Sequence, residues 1–155
     1  MGDAVAAAVA PDTKFASRGG GGRAHPPGFF REFLQVKVGF YVQAYEHISV
    51  EILSAMLKQA GHNVELFFDP RLFRDGVVYL EGLAPAFSVE DLILEEILRA
   101  DLDLLCFSVV TDNYASALRM AAKVKERRPT TTLFGGVHCT SVPERVVRKP
   151  QVDYV

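Results

Sequence analysis

Two short tracts carry the side chains best suited to chemistry. One is Ser108-Val109-Val110-Thr111-Asp112-Asn113-Tyr114 and the other is Gly135-Gly136-Val137-His138. Serine and threonine hydroxyls hydrogen-bond a polar ligand without claiming much space. Paired glycines let backbone approach a flat or bulky group closely, at a cost only in flexibility. Together they suit a slot that a bulky group enters edge-on. Two histidines stand near these tracts in the reading, His138 in the second and His47 after Tyr45-Glu46. Their ordinary roles, a solvated loop residue and a helix-start residue, remain open beside a ligand role. Cys106 and Cys139 are the only cysteines, so the chain has neither a disulfide framework nor a cysteine metal cluster.

The slot exists only if strands and helices carry these tracts to one edge. Leu104-Leu105-Cys106-Phe107 is a short continuous apolar run, the pattern of a strand covered on both faces. It stops at Ser108, and Asp112 or Asn113 is placed to cap a helix with Tyr114, Leu118, Ala121 and Val124 at helical spacing. Pro129 ends that helix, and Thr131-Thr132-Leu133-Phe134 is the next strand. Upstream, Val36 to Tyr41 reads as the first strand, and a helix from Ile48 follows with Ile52, Leu53, Met56, Leu57 and Ala60 on its apolar face. Gly61 stops it, and Asn63 to Phe68 is a second strand closed by Asp69-Pro70. Residues 70–87 form a long irregular excursion. Ser88-Val89-Glu90-Asp91 is a capping box for a helix with Leu92, Ile93, Ile97 and Leu98 inward, and Ser141-Val142-Pro143-Glu144 is another. Val152-Asp153-Tyr154-Val155 begins a fifth strand.

Alternating strands and helices predict an α/β fold, a flavodoxin-like doubly wound parallel five-stranded sheet of order 2-1-3-4-5. Ligands in such sheets bind beyond the carboxyl ends of the strands, here residues 42–47, 108–114 and 135–141. A chain of 155 residues with 49% hydrophobic content suits one domain with a real core. Residues 1–32, Ala-rich and then Gly-rich, are expected to be a disordered low-complexity leader; residues 33–155 form the domain. A formal net charge of −2 gives no electrostatic reason to expect nucleic acid or an anionic membrane. No run approaches the roughly 18 apolar residues of a membrane span. The Ala/Val-rich start lacks a signal peptide's positive flank, and two free thiols fit a cytoplasmic setting.

Several occupants of this architecture fail on residues. A phosphoryl receiver needs an acceptor Asp where Ser108 ends the third strand. A flavin-phosphate loop needs a Ser/Thr/Gly-rich turn where Gln43-Ala44-Tyr45-Glu46 stands. No Walker loop and no strand-linked G-x-G-x-x-G is present.

Phe107 to Tyr114, then Gly135 to Glu144, then Val152 to Val155 resemble the N-terminal cobalamin-binding domain of cobalamin-dependent radical S-adenosylmethionine enzymes. Glu46-His47-Ile48-Ser49 and Leu57 to Leu66 are similar to that family's first helix and second strand. The resemblance covers about residues 36–155. It implies a cobalt corrinoid, cobalamin, resting on the carboxyl edge, its nucleotide tail entering beside Ser108, Val110 and Gly135-Gly136. The contact set it implies is Tyr45, Glu46, His47, Ser108, Val109, Val110, Thr111, Tyr114, Gly135, Gly136, Val137 and His138, with no residue assigned to the metal and none to catalysis.

Two departures from the family pattern bear on chemistry. Cobalamin domains of the D-x-H-x-x-G type ligate cobalt through that histidine. Here Tyr45 precedes Glu46-His47 and the Asp and Gly are missing. A ligating imidazole needs its other nitrogen held, so His47 is expected to stay off cobalt. The radical half also needs C-x-x-x-C-x-x-C for an iron–sulfur cluster, and this chain has no such triad. The expectation is a cobalamin-binding module truncated before, or separate from, a radical S-adenosylmethionine domain, which serves methyl transfer or radical chemistry in a parent protein. The alternative is a cofactor-free flavodoxin-like interaction domain.

Overall fold

A computed structural model describes residues 35–44, 47–72, 82 and 85–155. The glycine-rich leader, Tyr45, Glu46 and most of the 70–87 excursion lie outside the described residues. The elements are β1 (Lys37–Gln43), α1 (Ile48–Gln59), β2 (Asn63–Asp69), α2 (Glu90–Ala100), β3 (Leu104–Ser108), α3 (Tyr114–Arg127), β4 (Thr131–Gly135), α4 (Val137–Ser141) and α5 (Pro143–Val147). The four strands are all parallel and stand in the order β2-β1-β3-β4.

Alternation along the strands builds two cores. Tyr41, Phe67, Leu105, Phe107 and Phe134 face α2 and α3, where they meet Ile93, Leu94, Ile97, Met120 and Val124. Phe107 and Phe134 stack there with ring centroids 4.5 Å apart. Val38, Phe40, Val42 and Cys106 face the other way, toward Val50 and Leu57 of α1. Both faces of β1 and β3 are therefore apolar, as parallel strands between helical layers require. Gly61, at φ 94°, turns the chain out of α1 and into β2.

Three expectations are corrected. The sheet has four strands rather than five, because the last segment makes a single parallel bridge, Leu133 to Tyr154. Its cause is visible: the Thr132 amide on the outer edge of β4 donates to the Asp153 carboxylate at 2.8 Å. That side chain takes a ladder donor, and backbone pairing is left to Tyr154, whose amide donates to the Thr132 carbonyl at 3.1 Å and whose carbonyl accepts from the Phe134 amide at 2.9 Å. The inward face of α1 is Val50 with Leu57, two turns apart, while Ile52, Leu53 and Met56 are about half exposed or more. Leu92 likewise points outward from α2. The proposed caps also act differently. No side chain caps the start of α2 or α5. Ser88 Oγ does come within 3.5 Å of the Glu90 amide, but Val89 is the N-cap residue.

Candidate functional site

Strands β3 and β4 end side by side, with Ser108 and Gly135 as register partners. Since β1 and β2 lie on one side of β3 and β4 on the other, the chain reverses its winding between β1 and β3. That is the switch point at which open α/β sheets take ligands. Period-two alternation puts Ser108 on the same face as Cys106, the α1 face, and Gly135 on the same face as Leu133.

Each histidine is held by a hydroxyl from the segment leaving β3. His47 Nδ1 lies 3.1 Å from Ser108 Oγ, and its Nε2 is buried without a hydrogen-bond partner. His138 Nδ1 lies 3.2 Å from Thr111 Oγ1, and its ring packs on Tyr114 with centroids 4.4 Å apart. The Tyr114 hydroxyl is also buried without a partner, and burial raises its pKa. The expected residues thus form two groups, His47 with Ser108, and Thr111 with His138 and Tyr114. Val110 and Val137 are exposed at the same edge, 39% and 67%. Val109 is placed differently: its side chain is fully buried in the α2/α3 core. It contributes backbone, with its amide donating to the Gly135 carbonyl at 2.8 Å and its carbonyl accepting from the His138 amide at 3.3 Å.

The two glycines differ in what demands them. Gly136 sits at φ 100°, and a Cβ there would come within 2.5 Å of the Val109 carbonyl oxygen. The fold itself needs that glycine. At Gly135 a Cβ would meet nothing within 4 Å. No contact among the described residues requires glycine at that position, and among them the space above it beside Ser108 is open to a ligand.

One residue of the site was read from sequence only as a helix cap. Asn113 is 5% exposed and precedes α3, yet its side chain makes no cap bond. Instead its Oδ1 accepts from the Val110 amide at 2.9 Å and its Nδ2 donates to the Ser108 carbonyl at 3.3 Å. It clasps the segment that carries Ser108 and Thr111. Asparagine favours such local backbone bonds, which was the available signal.

A second polar cluster went unread. The Tyr41 hydroxyl donates to Asp69 Oδ2 at 2.9 Å, Gln43 Nε2 donates to the same oxygen at 3.1 Å, and Ser116 Oγ donates to Gln43 Oε1 at 2.7 Å. Burial, then the Asp69 charge, raises the Tyr41 pKa. These groups satisfy one another, tie β1, β2 and α3 together, and lie on the α2/α3 side of the sheet, away from Ser108 and Gly135. Cys106 and Cys139 are both buried; burial pushes the Cys106 thiol up to about 11. Neither thiol is poised as a nucleophile.

No helix among the described residues is long and apolar enough to cross a membrane. No curated protein and no solved structure matches the chain. The B12 binding domain family model matches residues 38–155, from β1 to the last residue. With a parallel 2-1-3-4 sheet and a match over most of its length, the chain belongs to the B12-binding domain family.

Proposed function

We propose that this chain holds cobalamin at the carboxyl edge of β3 and β4, as the corrinoid-carrying module of a radical S-adenosylmethionine protein in the cytoplasm. The observation that carries the binding site is the open space over Gly135 beside Ser108, at a glycine that no contact among the described residues demands. Thr111, Tyr114 and His138 form one rim, with Val110 and Val137 as exposed apolar contacts. Tyr45, Glu46 and His47, which follow β1 in the sequence, complete the set. A bound corrinoid supplies a cobalt centre able to carry a methyl group. This chain's residues would bind and orient it. The radical half of the chemistry, with its iron–sulfur cluster and S-adenosylmethionine, falls to a partner domain or subunit. The resemblance of the three quoted tracts to that enzyme class supports this assignment.

A second reading concerns His47. The motif argument keeps it off cobalt, since Tyr45 replaces the aspartate that would hold the ring. Ser108 Oγ at Nδ1 and a bare Nε2 favour the opposite, a ring already oriented with one nitrogen free. The electron-resonance spectrum of the cob(II)alamin complex decides between them. Nitrogen hyperfine splitting that disappears in His47→Ala makes His47 a ligand; a spectrum indifferent to that change keeps it as a packing residue. The binding site itself is tested by colour. Purified protein incubated with hydroxocobalamin and desalted should stay red. A colourless but folded protein would instead support the cofactor-free interaction domain.

A further inference from the structure

The outer strand of the sheet has a sequence that fits its own reverse. Strand β2 is at the edge, with β1 as its only strand neighbour among the described residues. The Asn63 amide donates to the Val36 carbonyl at 3.1 Å, and the Asp69 carbonyl accepts from the Ala44 amide at 2.9 Å. Backbone groups alternate in direction along a strand, so Asn63, Glu65, Phe67 and Asp69 turn their N–H and C=O toward β1. Val64, Leu66 and Phe68 turn theirs outward, away from the sheet. The side chains of these same three residues lie on the α1 face, beside their register partners Val38, Phe40 and Val42. Those partners are buried, whereas Leu66 and Phe68 are 61% and 44% exposed. Outward backbone groups and bare apolar side chains on one edge form a template for another strand.

We infer that this edge is covered by β2 of a second copy of the chain, antiparallel to it about a two-fold axis through Leu66. In that register Val64 stands opposite the partner subunit's Phe68, Leu66 opposite the partner subunit's Leu66, and Phe68 opposite the partner subunit's Val64. Each of these pairs exchanges backbone hydrogen bonds and joins apolar side chains on the α1 face. Glu65 stands opposite the partner subunit's Phe67, and Asp69 opposite the partner subunit's Asn63, so no like charges meet. A slipped axis loses this. Centred on Glu65, it sets two glutamates against each other; centred on Phe67, it sets Glu65 against Asp69. The axis runs perpendicular to the sheet, so the two sheets join into one and the two Ser108–Gly135 edges point to opposite ends of it.

Sedimentation equilibrium of the full chain tests the inference. The mass should rise with concentration from one chain toward two. Leu66→Lys, which sets two ammonium groups against each other across the axis, should weaken association by about tenfold or more, with circular dichroism confirming the fold. Leu66→Cys should form an interchain disulfide under mild oxidation, since hydrogen-bonded antiparallel partners lie about 5.5 Å apart at Cα, within disulfide reach. Glu65→Cys should not, because its counterpart in the other copy is a diagonal neighbour about 7–8 Å away. Cys106 and Cys139 are buried and do not compete. A monomer at every concentration would overturn the inference. So would a dimer that Leu66→Lys leaves intact, by placing the interface elsewhere. Neither result bears on cobalamin retention, which the colour test reads separately.

Discussion

At the scale of single residues, the two adjacent glycines give the sharpest contrast. Gly136 is conformationally required, so Gly136→Ala should destabilise the fold by about 2 kcal/mol or more, read by denaturant unfolding, through φ strain and the clash with the Val109 carbonyl. Gly135→Leu should leave unfolding nearly unchanged and abolish retention of hydroxocobalamin after desalting. Asn113→Ala should cost about 1–3 kcal/mol, because the Val110 amide and Ser108 carbonyl lose a buried partner; faster hydrogen exchange at Val110 checks that the loss is local. Cys106 offers a pH test. Its folded pKa is raised to about 11 from an ordinary 9.0, so the fold favours the protonated thiol. That contribution to stability is complete below pH 9 and fades as pH rises toward 11. Alkylation of Cys106 should be slow at neutral pH and should accelerate only in that window. The Ser108, Thr111 and Gly135-Gly136 pattern was legible because hydroxyls and glycines at the ends of apolar runs break their pattern. Asn113 was legible only as a cap, since nothing in its neighbours' identities says which backbone groups its amide will reach.

Among the elements, α1 separates what periodicity can tell from what it cannot. Its apolar residues cover more than half a turn: Ile48, Ile52, Leu53 and Met56 as well as Val50 and Leu57. A hydrophobic pattern that wide fits several orientations, and the packing chose the narrow line through Val50 and Leu57. Val50→Ala should therefore cost about 2 kcal/mol, and Met56→Gln should change stability by less than about 0.5 kcal/mol, both from chemical denaturation. Helix α3 shows the opposite case: Ala117, Met120, Ala121 and Val124 form one clean stripe and all four are buried. Tyr154 records a third case. Its segment has strand composition, but the Asp153 carboxylate competes for the edge of β4 and leaves one bridge. Burial works against the charged Asp153, yet Lys125 and Thr132 outweigh it and hold the pKa below the usual carboxylate range. A charged Asp153 is thus favoured in the fold, a contribution present at neutral pH and lost as pH falls through that range. Wild type and Asp153→Asn should differ in stability at neutral pH and converge in acid unfolding as the pH falls below the usual carboxylate range.

For the whole molecule, the sheet order joins the two tracts. Strand composition, helix spacing and the right-handed rule for parallel crossovers are local or nearly local facts, and they led to the order 2-1-3-4-5, of which the sheet forms 2-1-3-4, while Val137–Ser141, expected as loop at its start, is the short helix α4. They also placed Ser108 and Gly135 at the same edge, because successive parallel strands all end on one side. What only the folded chain decided is which of those residues meet. The distances from His47 to Ser108 and from Thr111 to His138 join residues 61 and 27 positions apart, and no local pattern encodes them. The same holds for Val109, whose side chain turns away from the edge its neighbours occupy, and for the emptiness above Gly135. Periodicity assigns a residue to a face; only three-dimensional packing determines whether the space on that face is filled by protein or left for a ligand.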